Sequence, residues 1–483
     1  MPQISRPGCH SSFLPLTIGN HWFCCSENCW RVSSAPFYPQ RSGDHLLRVS
    51  LPLSAAARPV ELERDCLSLE LWRAERIAEF LGCLKATHRV PKSQKRGSMS
   101  VANVEKIVRE RYKQGAYAPV EALCCPTDYD PKLLEVIPAE VLERDYGCGD
   151  PSRHLRPGET VLDLGSGSGK ICFIASQVVG PEGWVIGVDM TPEMLEVARK
   201  NAPLVAKEIG FANVEFRRGR IQDLSLDLDL LEQRLAADPV MDVESLLAIE
   251  QKTDELRETK PLVENDSVDV VVSNCVLNLV SNGHKRQLFS EIHRVLRRGG
   301  RAVISDIVSD EDVPLDMQED PELWSGCISG ALTESGFLEA FEDAGFYGIQ
   351  ILERTPAPWK TVNGIEFRSV TVEAFKGKEG VCLERNQAVV YKGPFKEIVD
   401  DDGHRYRRGS RYAVCDKTFQ LYKKKPYRDF FEFVEPREEI SLEEATLFDC
   451  AGTRLRHPRE TKGQDFNLTT GATEACCEPG DCC

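Results

Sequence analysis

Short apolar runs alternate with longer amphipathic stretches from about residue 160 onward. The runs with the length and composition of buried strands are Thr160–Leu164, Trp184–Asp189, Val214–Arg217, Val268–Ser273, Arg301–Asp306 and Phe346–Glu353. Helical patterns lie between these runs, and they include Ile171–Val178, Pro192–Asn201 and Lys285–Leu296. Strands that alternate with helices are typical of βαβ units. We therefore predict an α/β fold whose central sheet is doubly wound and mostly parallel.

Two regions depart from this alternation. The charged, leucine-rich stretch Leu224–Leu262 predicts a helical insertion before the fourth strand. Beyond residue 360 the pattern indicates a smaller domain with β character, whose strand candidates are Val370–Phe375, Ala388–Tyr391 and Arg411–Val414. We expect the main body at 99–360, this small C-terminal domain at 361–432, and a flexible, cysteine-containing tail at 433–483.

Residues 1–98 differ from the rest in charge. They hold 13 basic and 8 acidic residues, a net charge of +5, whereas the whole chain carries −16. Among the first 60 residues the only acids are Glu27 and Asp44. This composition is typical of an organellar transit peptide, but it also fits a disordered extension or a translation start at Met99. The predicted location is the cytoplasm, or a chloroplast or mitochondrion if 1–98 is a transit peptide.

The overall composition limits the class of partner. No run of 18 or more apolar residues is present, so we expect no helix that spans a membrane. The net charge of −16 argues against nucleic acid, which is bound by clustered Lys and Arg. The 19 cysteines are scattered through an α/β pattern and indicate reduced thiols more than a disulfide framework. A small-molecule substrate is the expectation.

A glycine-rich turn joins the first predicted strand to the next helix, with the sequence Asp163-Leu-Gly-Ser-Gly-Ser-Gly169. Such a turn lets the backbone approach a polar ligand at a helix N-terminus. A dinucleotide is the obvious rival ligand, but its fingerprint places a third glycine where this chain has Lys170. Asp163 suits an ammonium group, and Asp189-Met190 at the end of the second strand suits ribose hydroxyls. The combination favours S-adenosylmethionine.

Three cysteines are predicted near the mouth of the same crevice. Cys275 directly follows the strand Val268–Ser273, Cys148 lies between two glycines before the first strand, and Cys327 follows the fifth strand among small residues. Ligands of open α/β sheets bind beyond the carboxyl ends of the strands. No C-x-x-C spacing joins the three cysteines, which argues against a zinc knuckle. Dispersed thiols at one crevice suit a soft, thiophilic substrate.

Four motifs together make the resemblance specific. They are Tyr146-Gly-Cys-Gly149, Asp163–Gly169, Ser273-Asn-Cys-Val-Leu-Asn-Leu279 and Gly326-Cys-Ile-Ser-Gly-Ala-Leu332. In this combination the chain closely resembles the arsenite methyltransferases, from about residue 118 to the C-terminal domain. The resemblance implies a Rossmann-like class I methyltransferase fold. It also implies transfer of methyl groups from S-adenosylmethionine to thiol-bound trivalent arsenic, giving methylated arsenicals in arsenic detoxification.

The resemblance also implies roles for particular residues. The arsenic-binding cysteines of the family match Cys148, Cys275 and Cys327, and a fourth cysteine that acts in a disulfide relay matches either Cys124 or Cys125. The cofactor-binding residues expected on these grounds are Tyr146, Asp163, Gly165, Ser166, Gly167, Gly169, Asp189, Met190, Ile221 and Asn274. A thiol reductant such as thioredoxin or glutathione is the implied co-substrate, and a monomer the implied state.

One position departs from the family. Gln222 stands where an acid is expected to contact adenine, so Ile221 or Asp223 is the alternative contact. The chemistry is otherwise consistent, because thiolate-bound arsenic keeps a lone pair and needs no general base. Two rival functions remain at this point: methylation of a small organic acceptor such as a quinone, with incidental cysteines, and sequestration of metalloid without turnover.

Overall fold

A computed structural model describes residues 21–25, 28–32, 101–117, 127–144 and 146–470; for 21–25, 28–32, 101–103 and 465 it describes only the backbone. The chain divides into two units, Met1–Lys95 and Arg96–Cys483. In the first unit, the described residues form one antiparallel hairpin of β1 (His21–Cys25) and β2 (Asn28–Val32). The expectations of a targeting or disordered segment at 1–98 fall largely outside the described residues.

The second unit contains the predicted alternation of strands and helices. Its described α-helices are α1 (Val101–Tyr117), α2 (Pro131–Leu134), α3 (Ala139–Leu142), α4 (Lys170–Val179), α5 (Pro192–Ile209), α6 (Leu228–Ala237), α7 (Val243–Thr259), α8 (Lys285–Val295), α9 (Leu315–Gln318), α10 (Pro321–Ser325), α11 (Glu334–Asp343), α12 (Asp416–Tyr422) and α13 (Pro458–Lys462). Its described strands are β3 (Thr160–Leu164), β4 (Trp184–Asp189), β5 (Val214–Arg218), β6 (Val268–Asn274), β7 (Leu296–Ser309), β8 (Leu332–Thr333), β9 (Tyr347–Arg354), β10 (Lys360–Val362), β11 (Ile365–Phe375), β12 (Leu383–Glu384), β13 (Ala388–Tyr391), β14 (Glu397–Val399), β15 (Arg405–Arg407), β16 (Arg411–Ala413), β17 (Phe431–Val434), β18 (Thr446–Leu447) and β19 (Arg454–Leu455).

A nine-stranded sheet forms the centre of the second unit. Seven strands follow the order β10-β11-β7-β6-β3-β4-β5, and the other two pair off this path, β8 with β7 and β9 with β11. Strands β3 to β7 run parallel, whereas β9, β10 and β11 are antiparallel additions at one side. The parallel strands are apolar on both faces because helices cover both faces of such a sheet. Val270, Val271 and Val272 of β6, for example, are completely buried. The predicted doubly wound α/β fold is confirmed.

The predicted start of the C-terminal domain at residue 361 is wrong. Val370–Phe375 lies in β11, which pairs with β7 from Phe367 to Phe375 and therefore belongs to the central sheet. The sequence pattern identified a strand correctly but does not reveal its partner, and an antiparallel edge hairpin has the same composition as a strand of a separate domain. The boundary has to move beyond Phe375.

The C-terminal domain has its own small sheet, in the order β17-β13-β16-β19, and its own core. Rings of Tyr391, Tyr406, Phe419 and Phe431 pack together in that core. The predicted flexible tail from 433 is wrong as far as residue 470, because this segment contains part of β17 and all of β18, β19 and α13. Ion pairs hold it: Arg456, 3 % exposed, contacts Glu384 and Glu460 at 2.6 and 2.7 Å. The cysteine-rich end, 471–483, lies outside the described residues.

The charged insertion is helical, as predicted. It contains α6 and α7, and its Arg257 pairs with Asp223 at 2.9 Å to hold α7 against the main body. No helix among the described residues is both long and apolar enough to cross a membrane.

Candidate functional site

A cleft of about 970 Å³, measured to its open mouth, lies beyond the carboxyl ends of β3, β4 and β6. Its position is the one that open α/β sheets use for ligands. Most cofactor-binding residues predicted from the sequence line it; the lining ones are Tyr146, Asp163, Gly165, Ser166, Gly167, Asp189, Met190, Ile221 and Asn274. Cys275 lines the same cleft, so one of the predicted arsenic ligands borders the predicted cofactor site directly.

The glycine-rich turn forms the floor of this cleft. Gly165, Gly167 and Gly169 have φ values of 70°, 52° and 94°, a conformation that glycine adopts without strain. The amides of Gly165 and Ser166 donate to the Val188 carbonyl at 2.8 and 3.0 Å, which anchors the turn to β4. A Cβ atom on Gly165 would lie 2.4 Å from Cγ1 of Val276, so the turn also packs tightly against the segment after Cys275. Gly169 ends the turn as the N-cap of α4.

Two carboxylates stand at either side of the turn. Asp189, which is half-buried, accepts hydrogen bonds from the amides of Gly167 (2.9 Å) and Thr191 (2.8 Å), and desolvation raises the pKa of its carboxyl. Asp163 is 1 % exposed and accepts a hydrogen bond from the Cys172 thiol at 3.2 Å. Cys172 itself is completely buried.

The turn also presents an unsatisfied polar atom. The hydroxyl of Ser166 is buried, and no partner for it exists among the described residues. Buried polar groups normally have partners, so this hydroxyl is a candidate contact for a polar ligand. Gly167 supports the same interpretation, because a Cβ there would meet nothing within 4 Å. The residues present therefore fit a nucleoside cofactor with polar hydroxyl and ammonium groups.

The expected adenine end of the cleft is formed by Ile221 and Gln222, both of which line it. Gln222 donates from its side-chain nitrogen to Oε1 of Glu105 at 3.0 Å. Asp223, the other alternative considered, is instead paired with Arg257. Of the two substitutes for the missing acid, the structure brings Ile221 to the cleft and leaves Asp223 outside its lining.

The structure brings Cys148, Cys275 and Cys327 together in one buried cluster, where each is 5 % exposed. They come from three separate segments: the turn before β3, the end of β6, and the loop after α10. Two of the three occupy the left-handed region, with φ of 64° at Cys275 and 62° at Cys327. Non-glycine residues held there concentrate at functional sites.

Asn274 ties the first two cysteine segments together. Its Oδ1 accepts from the backbone amides of Cys148 (2.8 Å) and Gly149 (3.1 Å), and its Nδ2 donates to the Gly149 carbonyl (2.8 Å) and the Tyr129 hydroxyl (3.1 Å). A Cβ on Gly147 would lie 2.2 Å from Nδ2 of Asn274, so the close approach requires glycine there. Asn274 thus acts as a positioning residue for Cys148, in addition to lining the cleft.

Sequence reasoning missed Tyr112 on α1. Its pKa is raised well above the ordinary value, first by burial and then by the neighbouring thiols of Cys327 and Cys275. The ring also packs edge-on against Tyr146, with the centroids 5.9 Å apart. Tyr112 lies far along the chain from every motif, so nothing in the sequence indicates that it contacts the cysteines.

The sequence analysis also missed Lys285 and Asp306, two buried charged residues that hydrogen-bond near the Cys275 segment. Asp306 accepts from the Leu277 amide at 2.8 Å, and Lys285 donates to the Gly330 carbonyl. Burial lowers the pKa of Lys285 and raises that of Asp306.

None of the described residues lining the cleft is a histidine. Cys124 and Cys125, the relay candidates, lie outside the described residues.

Comparisons with known proteins agree with this geometry. Residues 155–259 and 249–345 match a family described as a methyltransferase domain, and residues 378–466 match a domain of unknown function. The chain is 31 % identical over 369 residues to an arsenite methyltransferase from Aquipseudomonas alcaligenes, covering 73 % of this chain and 93 % of that protein.

Two further relatives carry the same description. The chain is 42 % identical to an arsenite methyltransferase from Halobacterium salinarum, over 44 % of each chain, and 30 % identical to one from Mus musculus, over 63 % of this chain and 74 % of that protein. Among solved structures, it is similar to an arsenic(III) S-adenosylmethionine methyltransferase from Chlamydomonas reinhardtii, with 27 % identity, a TM-score of 0.43, and coverage of 67 % of this chain and 100 % of that chain.

Proposed function

Because this chain belongs to the arsenite methyltransferase family, we propose that Cys148, Cys275 and Cys327 hold trivalent arsenic beside the cleft of the glycine-rich turn. The protein is an S-adenosylmethionine-dependent methyltransferase that methylates arsenite. The observation that carries the assignment of its residues is that Cys275 lines the cleft and also belongs to the cluster of buried residues that contains Cys148 and Cys327.

S-adenosylmethionine supplies, when bound, an electrophilic methyl group on a sulfonium centre. The residues proposed to hold it are those of the cleft. We expect Asp189, at the end of β4, to accept hydrogen bonds from the ribose hydroxyls, and Asp163 to accept hydrogen bonds from the ammonium group. The unpartnered hydroxyl of Ser166 and the backbone of Gly165, Gly167 and Gly169 offer further polar contacts. The remaining proposed contacts are Tyr146, Met190, Ile221 and Asn274.

The three thiols bind arsenous acid by exchange. Three As–O bonds break, three As–S bonds form, and three molecules of water leave, so arsenic stays trivalent and keeps its lone pair. The lone pair is the nucleophile, and no side chain has to remove a proton from it. The absence of histidine from the described cleft lining is consistent with this chemistry.

The chain's contribution is then mainly to position the reactants. The left-handed backbone at Cys275 and Cys327 and the hydrogen bonds of Asn274 to the Cys148 loop fix where the sulfur atoms lie. Tyr112 of α1 packs against the cluster that contains the three cysteines. Holding two reactants in line supplies up to about 7–11 kcal/mol of the barrier.

Several parts of the proposal rest on the family resemblance alone. Methyl transfer uses the lone pair and makes the arsenic pentavalent. Cys124 or Cys125 is proposed to form the relay disulfide with a second cysteine as that arsenic is reduced by two electrons to the trivalent state, and thioredoxin or glutathione is proposed to reduce the disulfide. A monomer is the proposed state, and the cytoplasm the proposed location unless residues 1–98 direct the chain to an organelle.

The test incubates the purified full chain with arsenite, S-adenosylmethionine and a thiol, and separates arsenic species by mass. We expect mono- and dimethylated arsenic from the wild type, and none from Cys148→Ser or Cys275→Ser. Cys382→Ser, in the C-terminal domain, is the control and retains activity. Methylation of a quinone by all variants favours the organic-acceptor rival, and arsenic binding without methylated product favours sequestration.

A further inference from the structure

A second group of three cysteines lies in the C-terminal domain, outside the cleft. Cys382 precedes β12, Cys415 precedes α12, and Cys450 follows β18, so the group joins segments 33 and 35 residues apart. Their three sulfur atoms all lie within 4.8 Å of one another. Nothing in the sequence around Cys382 and Cys415 distinguishes them from ordinary packing cysteines. The structure instead places them in one cluster with Cys450.

The backbone holds this arrangement in place. The Phe448 amide donates to the Cys382 carbonyl at 2.9 Å, which ties the first and third segments together. The Cys415 sulfur accepts a hydrogen bond from the Thr418 amide at 3.4 Å and so caps α12. These bonds fix the positions of the sulfur atoms before any ligand binds, and preorganised sites lose less entropy on binding.

A ligand has a route to these thiols. Cys415 is buried, but Cys382 and Cys450 are only half-buried. The space beside Cys415 and Cys450, between Phe448 and Thr453, is narrow and holds about one water molecule, so the access is through the two half-buried thiols. Burial alone would raise the pKa of the Cys382 thiol, but hydrogen bonds with Cys450 and Cys415 and the positive charge of Lys417 lower it. Burial and the neighbouring thiols raise the pKa of Cys450, so Cys382 is the more acidic of the two half-buried thiols.

We propose that Cys382, Cys415 and Cys450 form a second binding site for trivalent arsenic, separate from the methylation site. Arsenous acid exchanges its three hydroxyls for the three thiols, with three As–S bonds formed and three waters released. No oxidant or reductant is needed. The proposal depends on the chemistry of this cluster and not on the assignment of the cleft cysteines.

Trivalent arsenic fits this group better than zinc does. Zinc in structural sites takes four ligands, and no fourth Cys, His, Asp or Glu among the described residues joins the group. The nearby His404 is already engaged, with Nδ1 at 2.9 Å from Asp400 and Nε2 at 3.3 Å from the Cys450 carbonyl. Arsenic(III) with three thiolates is neutral, whereas Zn²⁺ with three thiolates keeps a negative charge that is costly to bury.

The test measures which cysteines arsenite protects from alkylation in the full, reduced chain, by peptide mass spectrometry. At arsenite concentrations ten times the Kd, we expect labelling of Cys382 and Cys450 to slow together by about tenfold. Cys415→Ser keeps an acceptor at the helix cap but removes one ligand, so it should abolish this protection. Cys172→Ser, the matched control, removes an isolated buried cysteine and should leave the protection intact.

Two outcomes overturn the proposal. One is labelling of Cys382 and Cys450 at the same rate with and without arsenite. The other is one zinc per purified chain that Cys415→Ser removes, which assigns the cluster to zinc. A methylation assay on the same Cys415→Ser protein separates this proposal from the proposed function: the rate should stay at the wild-type level, and circular dichroism verifies that the variant is folded.

Discussion

The thiol of Cys327 donates a hydrogen bond to the backbone carbonyl of Cys275 at 3.2 Å. Both residues are held in the left-handed region, with φ of 62° and 64°. The backbone of a residue with a Cβ atom is strained in this region, so the surrounding fold has to impose the conformation. The hydrogen bond and the strained backbone together orient two of the three thiols relative to each other before arsenic arrives.

Replacing Cys327 separates its role as a ligand from its role in the fold. Cys327→Ser keeps a donor for the Cys275 carbonyl, so we expect wild-type stability but loss of arsenite binding at this site. Cys327→Ala also loses the hydrogen bond, which costs about 1 kcal/mol of unfolding free energy. Urea unfolding and arsenite titration measure the two effects. Unchanged arsenite affinity in Cys327→Ser would show that this thiol is not a ligand.

Asn274→Ala should affect both stability and catalysis. The variant leaves the buried amide of Cys148 without its acceptor and the Gly149 carbonyl without its donor. Each buried group left unsatisfied costs about 1–3 kcal/mol, and the Cys148 loop loses its anchor. We expect a lower melting temperature and a reduced kcat. Asn282→Ala removes an exposed side-chain hydrogen bond and is the control; equal effects of the two variants would contradict the positioning role.

Gly165→Ala tests the close approach of the cofactor turn to the segment after Cys275. The new methyl group would collide with Val276, and the residue would remain at φ 70°. Gly158→Ala is the matched control, because Gly158 also has a positive φ (80°) but nothing lies within 4 Å of its Cβ position. We expect both variants to lose about 1 kcal/mol from backbone strain. Only Gly165→Ala should also weaken S-adenosylmethionine binding, measured by calorimetry.

The sequence predicted the parts of this molecule that depend on local pattern. The strand limits Thr160–Leu164 and Trp184–Asp189 match the structure residue for residue, because apolar runs bounded by turns specify buried strands. The cysteines were found because each stands in a short motif beside a strand end. Strand pairing is not local, so β11 was assigned to the wrong domain.

The missed residues share a physical reason. Tyr112 and Cys450 lie in ordinary-looking segments, and only tertiary packing brings them to a thiol cluster. The sequence did not reveal that residues 434–470 are structured. Ion pairs such as Arg456–Glu384, more than apolar burial, hold this segment, and charged residues in a sequence indicate exposure to solvent.

Tyr112→Phe tests the residue that the sequence did not reveal. The change removes the hydroxyl next to the Cys327 thiol but keeps the ring in the cluster. Loss of one polar contact of about 0.5–1.5 kcal/mol predicts arsenite affinity about two- to thirteenfold weaker. Tyr117→Phe, on the same helix and 68 % exposed, is the control and should bind as the wild type does. Equal affinities for wild type and Tyr112→Phe would remove Tyr112 from the site.

The raised pKa of Asp189 predicts a pH dependence of cofactor binding. Burial raises this pKa above 3.8, so the carboxylate becomes protonated at a higher pH than a free aspartate does. Affinity for S-adenosylmethionine should be constant above the folded pKa. It should then fall about tenfold per pH unit below that pKa, since only the ionised form accepts two ribose hydroxyls. Asp189→Asn should bind weakly at every pH, with this acid limb absent from a calorimetric titration.

The stability of the cofactor-free protein should depend on the same carboxyl. A carboxyl whose folded pKa exceeds its unfolded pKa binds its proton more tightly in the folded state, so ionised Asp189 costs stability in the cofactor-free protein. That cost is present at neutral pH and disappears as the pH falls through the folded pKa toward 3.8. Asp189→Asn removes this pH dependence, but its side-chain nitrogen faces the amide of Gly167 or Thr191, so we expect a loss of about 1–3 kcal/mol in urea unfolding together with weaker cofactor binding. A destabilised Asp189→Asn with unaltered cofactor affinity would assign Asp189 to the fold of the turn and not to the ribose.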